Sequence, residues 1–393
     1  MTSIRRTLIA GFAVGTAVVL AACSSGGSTT STSASAAPAA SSAAATDSAA
    51  PAAAAGDAKT AKSAADVGGM DGLVAAAKKE GQLNVITLPR DWANYGEIID
   101  SFAAKYGIKV NSANPDGSSQ DEVNAVKSQA GTDRAPDVLD IGMAVALTNT
   151  DLFAPYQVAT WKDIPDAQKE PTGLWFQDYG GYMAIGYDSA KVPAITSVAD
   201  LLKPEFKNKV ALNGDPTQAN AALNGVLMTS LANGGSADDI SKGVDFFHQL
   251  KAAGNFVPVK ATTATVKSGT TPVVLNWDYL SAVSVKDVPT WKVFVPSNAL
   301  LGGYYAQAIN KGAPHPAAAR LWEEYLYSDA GQNLWLKGSA RPVRMDAMTK
   351  ASTIDAALAS KLPTVSGTPV FPSPDQATAA KKVLATTWAK AIG

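Results

Sequence analysis

The sequence predicts an α/β protein with two lobes, each built on a mainly parallel sheet flanked by helices. Segments with strand and helix periodicity alternate between residues 83 and 141, which is the pattern of a parallel sheet covered by helices. The same alternation returns in the middle of the chain. About 325 residues follow a low-complexity N-terminal region, and this length favours two lobes over one core.

The first 22 residues have the features of an export signal. Arg5 and Arg6 precede an apolar run from Leu8 to Ala22, which is shorter than the roughly 20 residues of a membrane span. Cys23, the only cysteine of the chain, follows directly. Residues 20–23 resemble a bacterial lipobox, which implies cleavage before Cys23 and a diacylglyceryl group on its sulfur. A plain signal peptide and a twin-arginine signal remain open alternatives.

The segment behind Cys23 predicts a flexible tether. Residues 24–66 are almost all Ala, Ser, Thr, Gly and Pro, so they bury too little apolar surface to fold. A coil of about 43 residues reaches roughly 35 Å on average. With a lipid on Cys23, the protein is expected on the outer face of the cytoplasmic membrane.

Charge and composition argue against several classes of function. The net charge is −1, and removal of residues 1–22 changes it to −3, so no basic surface for nucleic acid is expected. With Cys23 lipidated, no cysteine remains for a disulfide or a reactive thiol. The two histidines, His248 and His315, are far apart in sequence, so no zinc site and no cofactor are predicted.

The first half of the body carries three predicted strands with helices between them. The strands span residues 83–88, 108–110 and 138–141, and the helices span 72–79 and 93–106. A third helix is predicted to begin with a capping box of Ser119 and Glu122. Loops after the first two strands contain Asp91, Trp92 and Ser118, and ligands of such sheets bind beyond the carboxyl ends of strands.

The second half repeats this alternation. Asp215 and Pro216 are predicted to cap and open a long helix. Further strands are predicted at 182–187, 210–212, 273–275, 293–295 and 304–309, and further helices at 237–253, 317–327 and 375–391.

Several segments together resemble a family of transport proteins. They are 81–88, 186–188, 200–210, 313–322 and 331–332. Over residues 70–393 the chain resembles the extracellular solute-binding proteins of ABC transporters, whose relatives take ferric iron, thiamine, polyamines or aminoethylphosphonate. The resemblance implies a type II periplasmic-binding-protein fold, with two α/β lobes that are joined by crossing strands and close on the ligand. It also implies a monomer without enzymatic activity that delivers a small molecule to an ABC permease with its ATPase.

The resemblance also divides the chain into segments. The signal peptide is 1–22 and the lipidated tether is 23–66. Lobe 1 is expected at 67–182 with a return at 291–345, and lobe 2 at 183–290. The helical part at 346–393 is expected to pack on lobe 2.

Ligand contacts are predicted from loops of both lobes. The candidates are Asp91, Trp92, Ser118, Thr217, Trp277, Asp278, Tyr279, Tyr304, Tyr305 and Arg341. Aromatic faces attract cations and carboxylates supply the counter-charge, so the members Trp92, Trp277, Tyr279 and Tyr305 with Asp91 and Asp278 favour a small organic amine such as a polyamine or a thiamine-like compound.

Other ligands and functions remain open. Arg341 could instead anchor a carboxylate or a phosphonate. Ferric iron is a further alternative, although the positions of the family's iron ligands align with Trp92, Gly142 and the pair Trp277-Asp278, so those ligands are missing. Tyr304 and Tyr305 are adjacent on one strand and should point to opposite faces. A secreted lipid-anchored enzyme is another alternative, without a Gly-x-Ser-x-Gly, His-Glu-x-x-His or P-loop motif to support it. A surface adhesin or signalling binder is the last.

Overall fold

The computed structural model describes residues 56–363 and 365–393. The predicted signal peptide, Cys23 and the tether up to residue 55 lie outside the described residues. Within the described ranges, no helix combines the length and the apolar character that a membrane crossing requires.

Thirteen α-helices lie in the described ranges. They are α1 (Gly69–Glu80), α2 (Tyr95–Tyr106), α3 (Ser119–Ser128), α4 (Met143–Ala146), α5 (Asn220–Ala232), α6 (Ser241–Ala252), α7 (Thr263–Ser268), α8 (Asp278–Val283), α9 (Pro316–Leu326), α10 (Asp329–Lys337), α11 (Met345–Lys350), α12 (Ala356–Ala359) and α13 (Pro374–Ile392).

Ten strands, counted over the same ranges, complete the fold. They are β1 (Gln82–Ile86), β2 (Lys109–Ala113), β3 (Val138–Gly142), β4 (Phe153–Ala154), β5 (Phe176–Asp188), β6 (Val210–Leu212), β7 (Val273–Trp277), β8 (Trp291–Phe294), β9 (Gly302–Asn310) and β10 (Arg341–Pro342). Strands β1 and β2 form a parallel pair, and the remaining strands share one sheet with the central order β3-β9-β5-β7-β6.

Strand β5 connects the two lobes. Its first half, from Phe176 to Tyr182, pairs with β9, and its second half, from Met183, pairs with β7. β8 pairs with the end of this second half, at Ile185–Asp188. The first lobe therefore holds β1–β4, β9 and β10, the second holds β6–β8, and β5 crosses between them at Tyr182 and Met183.

The sheet pairing differs from the predicted mainly parallel arrangement. Parallel pairs are β1 with β2 and β6 with β7, whereas β5 and β9 are antiparallel to their neighbours. The physical reason is the crossing itself, because a strand that passes between lobes and one that returns must run in opposite directions. The two-lobe α/β fold that the sequence predicts is observed.

Residues 57–66 pack on the body of the protein. The guanidinium group of buried Arg320 donates to the carbonyl oxygens of Lys59 and Ala61 at 3.0 and 2.9 Å. Ala61 itself is buried. The last ten residues of the predicted tether are therefore held on the body through their main-chain carbonyl groups. Their low-complexity composition gives no sign of these contacts.

The C-terminal helix α13 packs against α6 of the second lobe. The ring of Trp388 meets Phe247 edge-on with centroids 5.2 Å apart. Trp388 also packs against Phe256. The predicted lobe boundaries themselves stay predictions.

The predicted starts of α3 and α5 need correction, and α6 begins at Ser241, four residues after its predicted start. The capping box of α3 consists of Ser118 and Asp121, one residue before the predicted pair. Ser119 and Glu122 instead accept hydrogen bonds from the amides of Gly142 and Asp140, which fixes α3 against β3. Helix α5 begins at Asn220, because the Asp215 carboxylate caps a preceding turn by accepting from the amide of Thr217.

Candidate ligand-binding cleft

A cleft of about 140 Å³ lies between loops of the two lobes. The first lobe contributes the loops after β1 and β2 together with the end of β3. The second lobe contributes the start of α5, residues 260–263, the end of β7 and part of α8. The cleft lies at the carboxyl ends of parallel strands, where α/β sheets bind ligands.

The loop after β1 has a constrained backbone. Thr87 has a φ of 54°, which is rare for a β-branched residue. A Cβ on Gly117 would lie 2.4 Å from Cγ2 of Thr87, so the loops after β1 and β2 approach each other only because residue 117 is glycine. Strained backbone persists where its surroundings hold it, and such positions concentrate at functional sites.

The N-termini of two helices face the cleft from opposite lobes. Ser118 and Ser119 at the start of α3 line one side, and Ala219, Asn220 and Ala221 at the start of α5 line the other. The first amides of a helix have no acceptor within the helix. Ala219 at the N-cap of α5 provides no side-chain cap for them. The start of α5 therefore offers N–H groups without a side-chain cap to a bound group. At α3 the capping box already provides acceptors for the amides of Ser118 and Asp121, so this start contributes mainly the positive end of its helix dipole.

Two hydrogen bonds cross the cleft. Thr263 Oγ1 donates to Asp91 Oδ2 at 2.5 Å, and Lys260 Nζ donates to the carbonyl oxygen of Asp116. Gly142 at the end of β3 also meets Asn220, since a Cβ at 142 would lie 2.1 Å from the Cβ of Asn220. The two lobes are therefore in direct contact across the cleft.

Two buried carboxyl groups line the floor of the cleft. Glu122 Oε2 accepts from the Asp140 amide at 3.0 Å, and Asp140 Oδ2 accepts from the Tyr179 hydroxyl at 2.9 Å. Burial raises the pKa of Asp140 to about 7, against the lowering effect of the Tyr179 hydrogen bond. Burial and the proximity of Asp140 raise the pKa of Glu122 well above its ordinary value. Both carboxyl groups therefore keep their protons to higher pH than exposed carboxyl groups do.

An aromatic wall closes one side of the cleft. The Trp92 ring meets the Tyr305 ring edge-on, with centroids 5.8 Å apart. Trp92 Nε1 donates to the Tyr179 hydroxyl at 2.7 Å, and that hydroxyl donates to Asp140. The indole of Trp92 is thereby linked to the acidic floor through one shared hydroxyl.

Four of the ten predicted contact residues line the cleft. Asp91, Trp92, Ser118 and Tyr305 surround the same space. The Ser118 hydroxyl also donates to Asp121 Oδ2 at 2.8 Å, so it already has one partner in the capping box. Whether these four residues contact a ligand stays a prediction.

Thr217 and Tyr304 lie outside the lining of the cleft. The Thr217 hydroxyl donates to Asp215 Oδ1 at 2.8 Å within the turn before α5. The ring of Tyr304 packs near Phe371, with centroids 6.3 Å apart, on the face of β9 opposite to Tyr305. Neither side chain is placed to contact a solute in this cleft.

The remaining four predicted residues belong to the protein interior near the crossing of β5. Trp277 and Tyr279 are buried and their rings stack. Asp278 Oδ2 accepts from Arg341 Nη1 at 2.8 Å, and its Oδ1 accepts from the amides of Tyr182 and Tyr279. Arg341 further donates to the Pro363 carbonyl and covers the Tyr182 ring. The geometry accordingly gives these four residues a packing role at the crossing.

Sequence reasoning missed most of the polar residues that line the second-lobe side. Lys260, Asn276, Ser281 and Trp291 all line the cleft. Asn276 directly precedes Trp277, and the strand alternation that places Trp277 inside points Asn276 outward. Lys260 lies in a loop without a motif, so no signal in the sequence singles it out.

Solved structures with a similar fold are binding proteins. AfuA of Actinobacillus pleuropneumoniae, solved with fructose-6-phosphate, is 16% identical with a TM-score of 0.63, over 80% of this chain and 99% of that one. AgtB of A. tumefaciens R10 in complex with agropinic acid is 17% identical with a TM-score of 0.62, over 79% and 98%. Iron-bound HitA of Pseudomonas aeruginosa is 18% identical with a TM-score of 0.58, over 79% and 99%. At these identities the similarity establishes the fold.

The family assignment comes from a sequence model. The model of the bacterial extracellular solute-binding proteins matches residues 136–360, which is more than half of the chain. Proteins of this family are exported, bind a small molecule and pass it to an ABC permease, and they are transport proteins and not enzymes. The chain belongs to the family of bacterial extracellular solute-binding proteins.

Proposed function

We propose that this solute-binding protein takes a small anionic solute into the cleft, as a monomer tethered to the membrane by a lipid on Cys23. It releases that solute to an ABC permease. We propose an anion in place of the organic amine that the sequence favours, because half of the residues expected to bind the amine, Trp277, Asp278 and Tyr279, are buried outside the lining of the cleft.

The observation that carries the proposal is the convergence of positive groups from both lobes. The starts of α3 and α5 face one space, and Lys260 lies at its edge. Backbone amides and a helix dipole favour an anion, and an ammonium group adds a charge-assisted hydrogen bond. An anion that contacts both lobes favours the closed state by its differential affinity.

The carboxyl groups of the floor are compatible with an anion. Since burial raises the pKa values of Asp140 and Glu122, these groups are less charged near neutral pH than exposed carboxylates. Asp91 accepts from Thr263, which partly satisfies its charge.

Two structural neighbours support the same class of ligand. One was solved with fructose-6-phosphate, which carries a phosphate, and another with agropinic acid. Their low identity to this chain means that the support concerns the fold's capacity for anions and not a particular solute.

Calorimetric titration of the full-length chain in detergent tests the anion. The panel holds inorganic phosphate, glycerol 3-phosphate, glycerate, aminoethylphosphonate, spermidine and thiamine. Substitution Lys260→Ala should weaken binding of the anions about tenfold or more, because it removes a charge-assisted hydrogen bond. Lys267→Ala is the matched control, since Lys267 pairs with Asp287 outside the cleft. Binding by the amines alone contradicts the proposal.

An organic amine is the second candidate. Asp91, Trp92 and Tyr305 remain together in the cleft, and a carboxylate beside aromatic rings suits a cation. For this candidate, Asp91→Asn should abolish binding of spermidine or thiamine and leave the binding of anions within a fewfold.

Ferric iron receives less support. In the described ranges, no group of three or more His, Cys, Asp or Glu side chains is placed to hold a metal ion. Tyr305 lines the cleft while Tyr304 packs by Phe371, so the two phenols do not share one site.

The lipid anchor is supported by sequence alone. Cys23 stands behind an apolar run and small residues, where lipidation and cleavage would make it the first residue. Growth with labelled palmitate should label the wild-type protein and the control Ser24→Ala. It should not label Cys23→Ser, and a label on Cys23→Ser would contradict the anchor.

A further inference from the structure

Four side chains that line the cleft have buried polar atoms with unused hydrogen-bonding capacity. In the described part of the chain, Asp140 Oδ1, Ser281 Oγ and Trp291 Nε1 make no hydrogen bond, and Thr87 Oγ1 has only the carboxyl group of Glu122 beside it. Other unpaired buried atoms, such as Nε1 of Trp322, lie outside the lining of the cleft.

Unpaired polar atoms are rare in protein interiors because burial without a partner is costly. Asp140 is 7% exposed, yet one of its two carboxyl oxygens lacks a donor among the described residues. Four such atoms around one cavity indicate that their partners arrive with a bound molecule. A ligand that forms hydrogen bonds with all four atoms offsets the free-energy cost of burying them.

The two atoms of the second lobe are close neighbours. A Cβ on Gly186 would lie 2.9 Å from Ser281 Oγ and 2.8 Å from Trp291 Nε1. Glycine at this position of β5 therefore leaves both side chains in place. A hydroxyl and an indole N–H in such proximity can hold one oxygen atom between them.

The chemistry of the four atoms restricts the ligand. Trp291 Nε1 only donates, the hydroxyl groups of Thr87 and Ser281 both donate and accept, and Asp140 accepts when ionised and can also donate when protonated. An ammonium group has no acceptor for Trp291, and a bare phosphate dianion can pair with Asp140 only while that carboxyl group holds its proton. A hydroxyl group can satisfy either partner.

We propose that Thr87, Asp140, Ser281 and Trp291 form a hydroxyl-binding subsite, so that the solute is an anion that also carries hydroxyl groups. This inference rests on the proposed anion site and deepens it. The anionic group binds the helix starts and Lys260, and the hydroxylated part of the solute binds the floor and the second-lobe wall. Sugar acids and phosphorylated polyols belong to this class.

Matched pairs of probes test the subsite on the full-length chain. Glycerol 3-phosphate is compared with propyl phosphate, and glycerate with propionate, by calorimetric titration. Each hydroxyl that is paired should improve affinity by up to about tenfold, so the hydroxylated member of each pair should bind about tenfold tighter or more. Equal affinities within each pair overturn the hydroxyl subsite while the anion site stands. Binding of no anion at all overturns both.

Two conservative variants test the assignment of the atoms. Trp291→Phe keeps a ring and removes only the donor, and Ser281→Ala removes only the hydroxyl. Each should reduce the affinity ratio within a probe pair, because only the hydroxylated member can form a hydrogen bond with the substituted residue. Ser284→Ala is the matched control, because Ser284 lines the cleft three residues further along the chain. Ratios that stay at the wild-type value in both variants contradict the proposal.

Discussion

The ends of β7 and β9 illustrate how neighbouring residues divide between the cleft and the interior. Asn276 and Tyr305 line the cleft, whereas Trp277 and Tyr304, next to them on the same strands, do not. Trp277 is fully buried, and a Cβ on Gly303 would lie 2.6 Å from its ring. One residue of register thus separates a candidate ligand contact from a core residue.

The comparison explains which part of the site is predictable. The rule that ligands bind beyond strand ends selects the correct edge of the sheet. The rule does not say which face of the sheet the ligand contacts. A polar or aromatic residue after a strand is therefore a candidate contact whether its side chain faces the cleft or the interior. At the end of β7 and the start of α8, the conspicuous run of Trp277, Asp278 and Tyr279 is buried, whereas Asn276 lines the cleft.

The largest expected effect concerns Asp278, on the interior side of this comparison. Asp278→Ala leaves Arg341 without its carboxylate partner and two amides without their acceptor, and should cost about 3–5 kcal/mol of unfolding free energy. Urea denaturation measures the change. Asp91→Ala is the control on the cleft side and should cost about 1 kcal/mol. If Asp278→Ala kept the stability of the wild type but lost ligand binding, Asp278 would be a ligand contact and not a structural residue.

Gly142 tests whether the lobes meet at the cleft as described. Gly142→Ala should force Asn220 away and disfavour closure by about 1–3 kcal/mol, since well-packed contacts tolerate an added methyl group poorly. Ligand affinity should fall about tenfold or more, and small-angle scattering should show a more open liganded state. Gly312→Ala is a suitable control, because a Cβ at that position would meet only Asn310 Oδ1, at 3.6 Å. Wild-type affinity in Gly142→Ala would contradict this account of closure.

Glu323 is a buried acid outside the cleft and contrasts with Asp140 within it. Both carboxyl oxygens of Glu323 lack a partner in the described part of the chain, and burial, then Asp140, raises its pKa well above the ordinary value of 4.5. Below about pH 4.5 both folded and unfolded states hold the proton. As pH rises towards the folded pKa, only the unfolded state releases it, so the free energy of unfolding falls.

Glu323→Gln removes this dependence on pH. Relative to wild type, the variant should gain stability between pH 5 and pH 8, by about 1.4 kcal/mol for each unit by which the pKa is raised. Chemical unfolding at both pH values measures the gain, and ligand affinity should not change. A difference from wild type that is the same at both pH values would show that Glu323 is ionised in the folded protein.

The smallest effect is expected at the hydrogen bond between Thr263 and Asp91. Thr263→Val removes the donor and should reduce the population of the closed state by about 0.5–1.5 kcal/mol. Fluorescence energy transfer between dyes on the two lobes measures this population without ligand. Thr270→Val, in an exposed loop after α7, serves as the control. An unchanged population of the closed state would show that this hydrogen bond does not stabilise closure.

Much of the fold is predictable from local pattern. The sequence predicts the strand at 210–212 with its observed bounds, and α9 and α13 within one residue at each end, because periodicity and capping residues are local signals. The antiparallel crossing is not predictable in this way, since the partners of β5 are separated from it by about a hundred residues. Lys260 and Arg341 show the same limit, because their contacts with residues 116 and 278 depend on tertiary structure.

A crystal structure of the full-length chain with the tightest-binding member of the panel tests the central claim most directly. The account predicts the anionic group within about 3 Å of the first amides of α3 and α5 and of Lys260 Nζ. It also predicts hydroxyl groups on Ser281 and Trp291. A ligand seated against Trp277, Asp278 and Arg341 at the crossing of β5 would contradict it.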